Sequence, residues 1–385
     1  MKKVTRRPAA KPAAKRRPAR AKAAPRRTIL LNPGPVTLTE RVRKSLLKED
    51  LCHREPEFAE LVLDIRKRLV SVYEESERDY EAILMTGSGT CAVEAMISSF
   101  VPRGGKVLVM ANGIYGERMA AMIEAQGKRL ELVRSEWPEP MNVAEADRRL
   151  AADPSITHVL AVHNETTTGR LNDLPALARV LTKHNRRLLL DAVSSFAGEE
   201  IRFADWNVDA LCAVANKCIH GAPGICFVMA RRGLLETGRS GATSVYLDLY
   251  RYYKEQKSGF SPFTQATHIC VALQEALAEL EASGGWRARH ERYRRLSETI
   301  RVELDAIGVR RFLAEDAYCA VISSFHLPQG VTYQELHDLL KKAGFVIYAG
   351  QAGLYHSIFR IANMGAISDA DLKRLIAVFR GRFAR

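Results

Sequence analysis

The sequence predicts an α/β fold: a large unit on a mainly parallel seven-stranded sheet, followed by a smaller C-terminal α/β unit. Between about residues 80 and 230, short apolar runs alternate with helical patterns. A long helical stretch then begins near Thr267 and breaks at Ser283-Gly284-Gly285. Beyond it the pattern changes to short strand-like runs and helices that open on capping residues.

The seven strand-like runs are Ala82–Met85, Lys106–Met110, Leu130–Val133, Thr157–His163, Arg187–Val193, Asp209–Ala215 and Gly224–Ala230. Helical patterns at Cys91–Phe100, Gly116–Gln126 and Leu174–His184 lie between several of them, as in a parallel sheet covered on both faces. Val271–Ala282 and Trp286–Ile307 form the connecting helical run. After it, Tyr318–Leu327, Phe345–Tyr348 and Ser357–Asn363 read as strands. Thr332–Ala343 opens with Thr332 and Glu335, the spacing of a capping box, and Ser368–Phe383 opens with Ser368 and Asp371. These boundaries divide the chain into a basic tail (1–27), a large unit with an N-terminal segment (28–285) and a small C-terminal unit (286–385).

The tail accounts for most of the net charge of +14. It holds 12 of the 58 Lys and Arg residues and no acid, leaving 46 basic against 44 acidic residues in the rest. Ala, Pro, Lys and Arg with no large apolar residue except Met1 and Val4 cannot build a core, so the tail reads as a disordered, solubilising extension. A nucleic-acid partner through that tail is the alternative of another class. No apolar run approaches the roughly 20 residues that span a bilayer. The seven cysteines form no CxxC pair, and no export signal is evident, so free thiols in the cytoplasm are expected. His and Cys do not cluster at metal-ligand spacing.

The chemistry concentrates where predicted strands end. Lys217 follows one strand and precedes a Gly- and Pro-containing turn. A lysine at a strand end is commonly a solvated surface residue. At the mouth of a buried sheet it can instead lose solvation and serve as a Schiff-base amine. Asp191 nears the end of a very apolar strand and needs a partner there. It either caps Ser194-Ser195 or pairs with the pyridine nitrogen of pyridoxal phosphate. Gly87-Ser88-Gly89-Thr90 precedes a helix and forms either a simple turn or a phosphate cup. Tyr115, at a strand-to-helix turn, either packs its loop or stacks on a flat ring. The hydroxyls of Thr166, Thr167 and Thr168 satisfy turn amides or a ligand oxygen. Arg360 lies inside an apolar strand and requires an anion, in an ion pair or in a ligand.

Taken together and in this order, these residues resemble the class V, fold-type I pyridoxal-phosphate-dependent aminotransferases, over about residues 28–385. The segments Leu30–Pro35, Gly87–Thr90, Glu165–Gly169, Asp191–Phe196 and Ala215–Ile219 are similar to the branch of that family that uses 2-aminoethylphosphonate. The Asn216–Ile219 stretch, followed by Gly221-Ala222-Pro223-Gly224, is the most specific piece. The resemblance implies that Lys217 carries pyridoxal 5′-phosphate and shuttles the proton at Cα. It implies that Asp191 meets the pyridine nitrogen, that Ser88, Gly89 and Thr90 bind the phosphate, and that Tyr115 stacks on the ring. Thr166 would lie near the phenolic oxygen, and Arg360 would grip the acidic group of the substrate. Thr264 and Thr267 would reach the phosphate of a neighbouring subunit, which implies a homodimer. The implied reaction takes an amino donor and a 2-oxo acid, 2-aminoethylphosphonate and pyruvate first, giving phosphonoacetaldehyde and alanine. Alanine– or serine–glyoxylate and serine–pyruvate exchange are the alternatives.

Overall fold

A computed structural model describes residues 27–384, so the tail reading falls almost wholly outside the described residues. The seven expected strands are present. They are β1 (Tyr80–Gly87), β2 (Lys106–Ala111), β3 (Arg129–Arg134), β4 (Ile156–Val162), β5 (Arg187–Asp191), β6 (Val208–Val214) and β7 (Gly224–Arg231). They form one sheet in the order β1-β7-β6-β5-β4-β2-β3. Only β7 runs antiparallel to its neighbours. Parallel strands need crossover helices, and Gly89–Phe100, Ile114–Ala125, Val143–Ala152 and Leu174–Lys183 supply them.

Consecutive residues of the central strands enter different cores, which is why the runs look continuously apolar. Leu188 and Leu190 pack on one face, with the helices Pro56–Val70 and Thr267–Ala282. Leu189 packs on the other, with Gly89–Phe100. A third core lies under the C-terminal part, where Ile300, Phe345, Phe359 and Phe379 meet.

That C-terminal part is built on a three-stranded antiparallel sheet of Ile322–His326, Ile358–Ala362 and Tyr348–Ala349, with Ile358–Ala362 in the middle. Both capping residues act as the sequence implies. Thr332 and Glu335 form a reciprocal capping box, and so do Ser368 and Asp371. Two strand boundaries differ from expectation. Residues 318–321 do not extend the strand at Ile322, because the Cys319 amide donates to the Gly169 carbonyl at 2.9 Å and ties that stretch to the loop after β4. The expected strand Phe345–Tyr348 divides at Ile347. Phe345–Val346 pairs in parallel with Ile29–Leu30, while Tyr348–Ala349 joins the three-stranded sheet. Ile29 and Leu31 thereby enter the third core. Among the described residues no helix is long and apolar enough to cross a membrane.

Candidate active site

The C-terminal ends of the parallel strands open onto one cavity of about 440 Å³. Ser88, Gly89, Thr90, Tyr115, Asp191 and Lys217 all line it. In an open parallel sheet this edge is where ligands bind, because loops from several strands converge there. Asp191 is the last residue of β5, and its register partner in β6 is Cys212. The turn after β6 then presents Asn216 and Lys217 beside it.

Burial drives both groups toward neutrality. The Lys217 amine is brought down to about 8, mainly by desolvation, with the Arg360 charge adding in the same direction and Asp191 opposing. The Asp191 carboxyl is pushed up to about 6 by burial, against the Val193 amide that donates to it at 2.9 Å and the charges of Lys217 and Arg118. The Lys217 amine donates to the carbonyl of Pro33. Gly34 packs against the same side chain: a Cβ there would lie 2.7 Å from the Lys217 nitrogen, and its φ of +109° belongs to glycine. Behind the lysine, Arg289 donates to the carbonyls of Cys218 and Ile219 at 2.7 and 3.1 Å and fixes the turn.

The residues present suit pyridoxal phosphate. The helix Gly89–Phe100 begins at Ser88 with no side-chain cap and no acid in its first turn, so its amides are free for an anion. At Gly89 a Cβ would come within 2.8 Å of Val193, so a larger residue would disturb the cup. Tyr115 reaches the cavity from the first turn of Ile114–Ala125, with the Arg118 guanidinium 4.9 Å from its ring centre. Beyond the ends of β4 and β5, the Asn164 side chain, Glu165 Oε2 and Ser195 Oγ are buried without a partner among the described residues.

Glu165 organises this wall. Its Oε1 accepts from the Thr167 amide and hydroxyl at 3.1 and 2.6 Å, and the Thr167 hydroxyl accepts from the Ile114 amide at 3.1 Å. Burial pushes its carboxyl up to about 7.

Four expected residues do not line the cavity. Thr166 is buried beside it, and its carbonyl accepts from Arg360 Nη1 at 2.6 Å. Arg360 sits in the middle strand of the small sheet, 2% exposed. No carboxylate lies within ion-pair distance of it among the described residues, so the structural ion pair is not there. Thr264 and Thr267 stand at the start of Thr267–Ala282, away from the cavity wall of their own chain, and the Thr264 hydroxyl meets His53 at 3.3 Å.

Sequence reasoning missed several contributors. Arg118 and Met122 line the cavity. Their spacing of three and seven from Tyr115, one helix face, is the signal that could have found them. Pro33 and Gly34 carried a signal as well, the turn-forming Asn32-Pro33-Gly34-Pro35. Nothing local marks Arg289, since its role depends on a tertiary contact.

The class-V aminotransferase family matches residues 44–368. Two curated relatives, both named 2-aminoethylphosphonate–pyruvate transaminase, are each 40% identical to the chain. The Bacillus mycoides protein aligns over 351 residues, 90% of this chain and 96% of the relative. The Bacillus cytotoxicus protein aligns over 354 residues with the same coverage. The solved structure of an aspartate aminotransferase from Thermus thermophilus superposes with a TM-score of 0.84 at 28% identity, covering 92% of this chain and 98% of that one. An alanine–glyoxylate aminotransferase from Nostoc shares the fold, with a TM-score of 0.84 at 22% identity over 94% and 97% of the two chains.

Proposed function

The chain belongs to the class V aminotransferases, as a pyridoxal-phosphate-dependent transaminase of fold-type I, and from that premise we propose that it moves the amino group of 2-aminoethylphosphonate to pyruvate. Near-full-length likeness to relatives of that name carries the substrate reading. Arg360 supplies the physical reason, as a buried cation with no carboxylate partner among the described residues. Its planar fork suits an oxyanion in both half-reactions, the phosphonate in one and the pyruvate carboxylate in the other.

Bound pyridoxal phosphate supplies the carbonyl that accepts the amine and a conjugated ring that spreads the electron pair left at Cα. Lys217 is the catalytic residue: its depressed basicity favours the neutral amine that attaches the cofactor. With substrate and cofactor in place, the same amine would take the Cα proton and return it to C4′, two bonds away. Asp191 would hold the ring nitrogen protonated, Ser88, Gly89 and Thr90 would bind the phosphate, and Tyr115 would cover the ring. Thr166 would meet the phenolic oxygen. Thr264 and Thr267 complete the phosphate site of a second subunit, so the working unit is a homodimer. Residues 28–285 form the cofactor-holding unit and 286–385 the small one. The seven free cysteines agree with a cytoplasmic enzyme.

A donor panel with pyruvate as acceptor and Lys217→Ala as blank tests this reading. Alanine forms from pyruvate with 2-aminoethylphosphonate as donor if it holds. Turnover of alanine or serine with glyoxylate, with none of 2-aminoethylphosphonate, would replace it.

A further inference from the structure

A second cavity, of about 430 Å³, lies behind the Lys217 turn and shares no lining residue with the first. Helix Gly285–Asp305 forms one wall, and the end of Thr267–Ala282 with the first turn of Glu40–Ser45 forms another. Three arginines line it, Arg41, Arg289 and Arg292, against one acid, Glu279. Two of these cations have acidic neighbours. Arg41 pairs with Glu275, and Arg292 lies 3.8 Å from Asp369. Glu279 is engaged by the Thr39 hydroxyl, which reaches its two oxygens at 2.8 and 3.0 Å.

Arg289 differs from both. It is 9% exposed, and no carboxylate lies within ion-pair distance of it among the described residues. Residues 1–26 contain no Asp or Glu, so no side chain there can supply one. A buried charge without a counter-charge is costly unless a ligand brings one. Both Nη1 donors are spent on the carbonyls of Cys218 and Ile219. Nε and Nη2 make no hydrogen bond among the described residues. Their parallel N–H bonds form the edge on which a guanidinium takes two oxygens of one anion. His220 brings a further donor to the same cavity. Its Nε2 faces the Gly365 amide, which donates to it at 2.8 Å, and the Tyr293 hydroxyl at 2.5 Å. Burial, with the charges of Arg289 and Arg292, holds the ring well below the usual histidine value. The ring is therefore neutral with its proton on Nδ1, and Nδ1 has no partner among the described residues.

We propose that this cavity is a second anion site, which takes a tetrahedral oxyanion of the phosphate type on the free edge of Arg289 and on His220 Nδ1. Three donors on two side chains suit an ion with three or more oxygens better than a planar carboxylate. The inference goes beyond the transaminase reading and holds whichever amine the enzyme uses. Because the same guanidinium grips the two carbonyls that follow Lys217, a bound ion steadies the lysine turn from behind.

The test titrates phosphate-free holoenzyme with inorganic phosphate by calorimetry, in the wild type, Ala288→Glu, Ala288→Gln and Arg360→Lys. Ala288 is exposed on the rim of the cavity, one turn before Arg292. Glutamate there sets a like charge beside the ion and should weaken phosphate binding at least about tenfold. Its kcat and both KM values should stay within about twofold of wild type, because the residue touches neither the cofactor cavity nor Arg360. Glutamine, of the same size without the charge, should leave binding close to wild type. Arg360→Lys should relieve only the competition of phosphate with the amino donor and keep the site that Ala288→Glu loses. Acetate should bind the wild type at least about tenfold more weakly than phosphate. Phosphate well above its Kd should raise the Tm of the wild type and not of Ala288→Glu. Glycerol 3-phosphate in a parallel titration separates the sources: tighter binding than phosphate marks an ester site, weaker binding a site for the free ion. Absence of phosphate binding in the wild type, equal loss in Ala288→Glu and Ala288→Gln, or loss in Arg360→Lys alone would overturn the proposal.

Discussion

Asp191 and Lys217 stand beside neighbouring parallel strands of a sheet buried on both faces, with Leu188 and Leu190 in one core and Leu189 in the other. Arg360 stands on a small antiparallel sheet whose outer strand, Tyr348–Ala349, is two residues long. The first pair owes its position to backbone hydrogen bonding deep in the molecule. Arg360 owes its position to the carbonyls of Ala349 and Thr166 and to one side chain on a partly exposed turn. The contrast separates two tasks. Cofactor chemistry tolerates little movement and is placed on strand ends. Recognition of the substrate anion is placed where a side chain can still give way.

If that division is right, substitutions at the sheet end should abolish chemistry, and those at the small sheet should retune it. The largest effect belongs to Lys217→Ala, with kcat falling by about 10³-fold or more as covalent attachment and proton transfer are lost together. Borohydride reduction followed by mass analysis should then find no cofactor on the chain, and a variant still carrying it at this position would break the comparison. Next is Asp191→Asn, which keeps size and burial but removes the charge at the ring nitrogen. Its kcat should fall by about 10²-fold while cofactor stays bound. Arg360→Lys keeps the charge and loses the fork, so kcat/KM for the phosphonate should fall about 10- to 50-fold, mostly in KM.

The pH response sharpens the same contrast. Because the Lys217 amine sits at about 8, cofactor capture by the apoenzyme should accelerate about tenfold per pH unit below that value and level off above it. A rise that continued toward 10.5, the ordinary lysine value, would mean that the amine is not desolvated. The smallest effect belongs to Thr332→Ala in the small half. Loss of its capping box should cost about 1 kcal/mol of stability and lower Tm by about 2–4 °C, with kcat unchanged.

Legibility in the sequence followed the same line. Lys217, Asp191 and the Ser88–Thr90 cup are short stretches that sit where a strand stops, and periodicity marks where strands stop. The sheet and its helices were therefore readable, down to the caps at Thr332 and Ser368. The division of the strand at Ile347 was not, because it depends on Ile29–Leu30, far away in the chain. Arg360 was readable as a charge in an apolar strand, but its partners were not. Gln351 is near in sequence yet on a turn with no periodicity, and Thr166 is a carbonyl contact that any residue could make. Glu165 looked like part of a hydroxyl cluster, and only packing reveals it as the carboxyl that ties Thr167 to the Tyr115 helix.

The strap over Lys217 carries a consequence for biosynthesis. Pro33 and Gly34, which cover the lysine, follow directly on Ile29–Leu30, and that strand is held by Phe345–Val346. Translation delivers residue 345 long after residue 29. Between the making of Lys217 and of Phe345, then, the large sheet has its lysine but lacks the anchor for the segment above it. The seat for the amine closes only once Phe345–Val346 has been made.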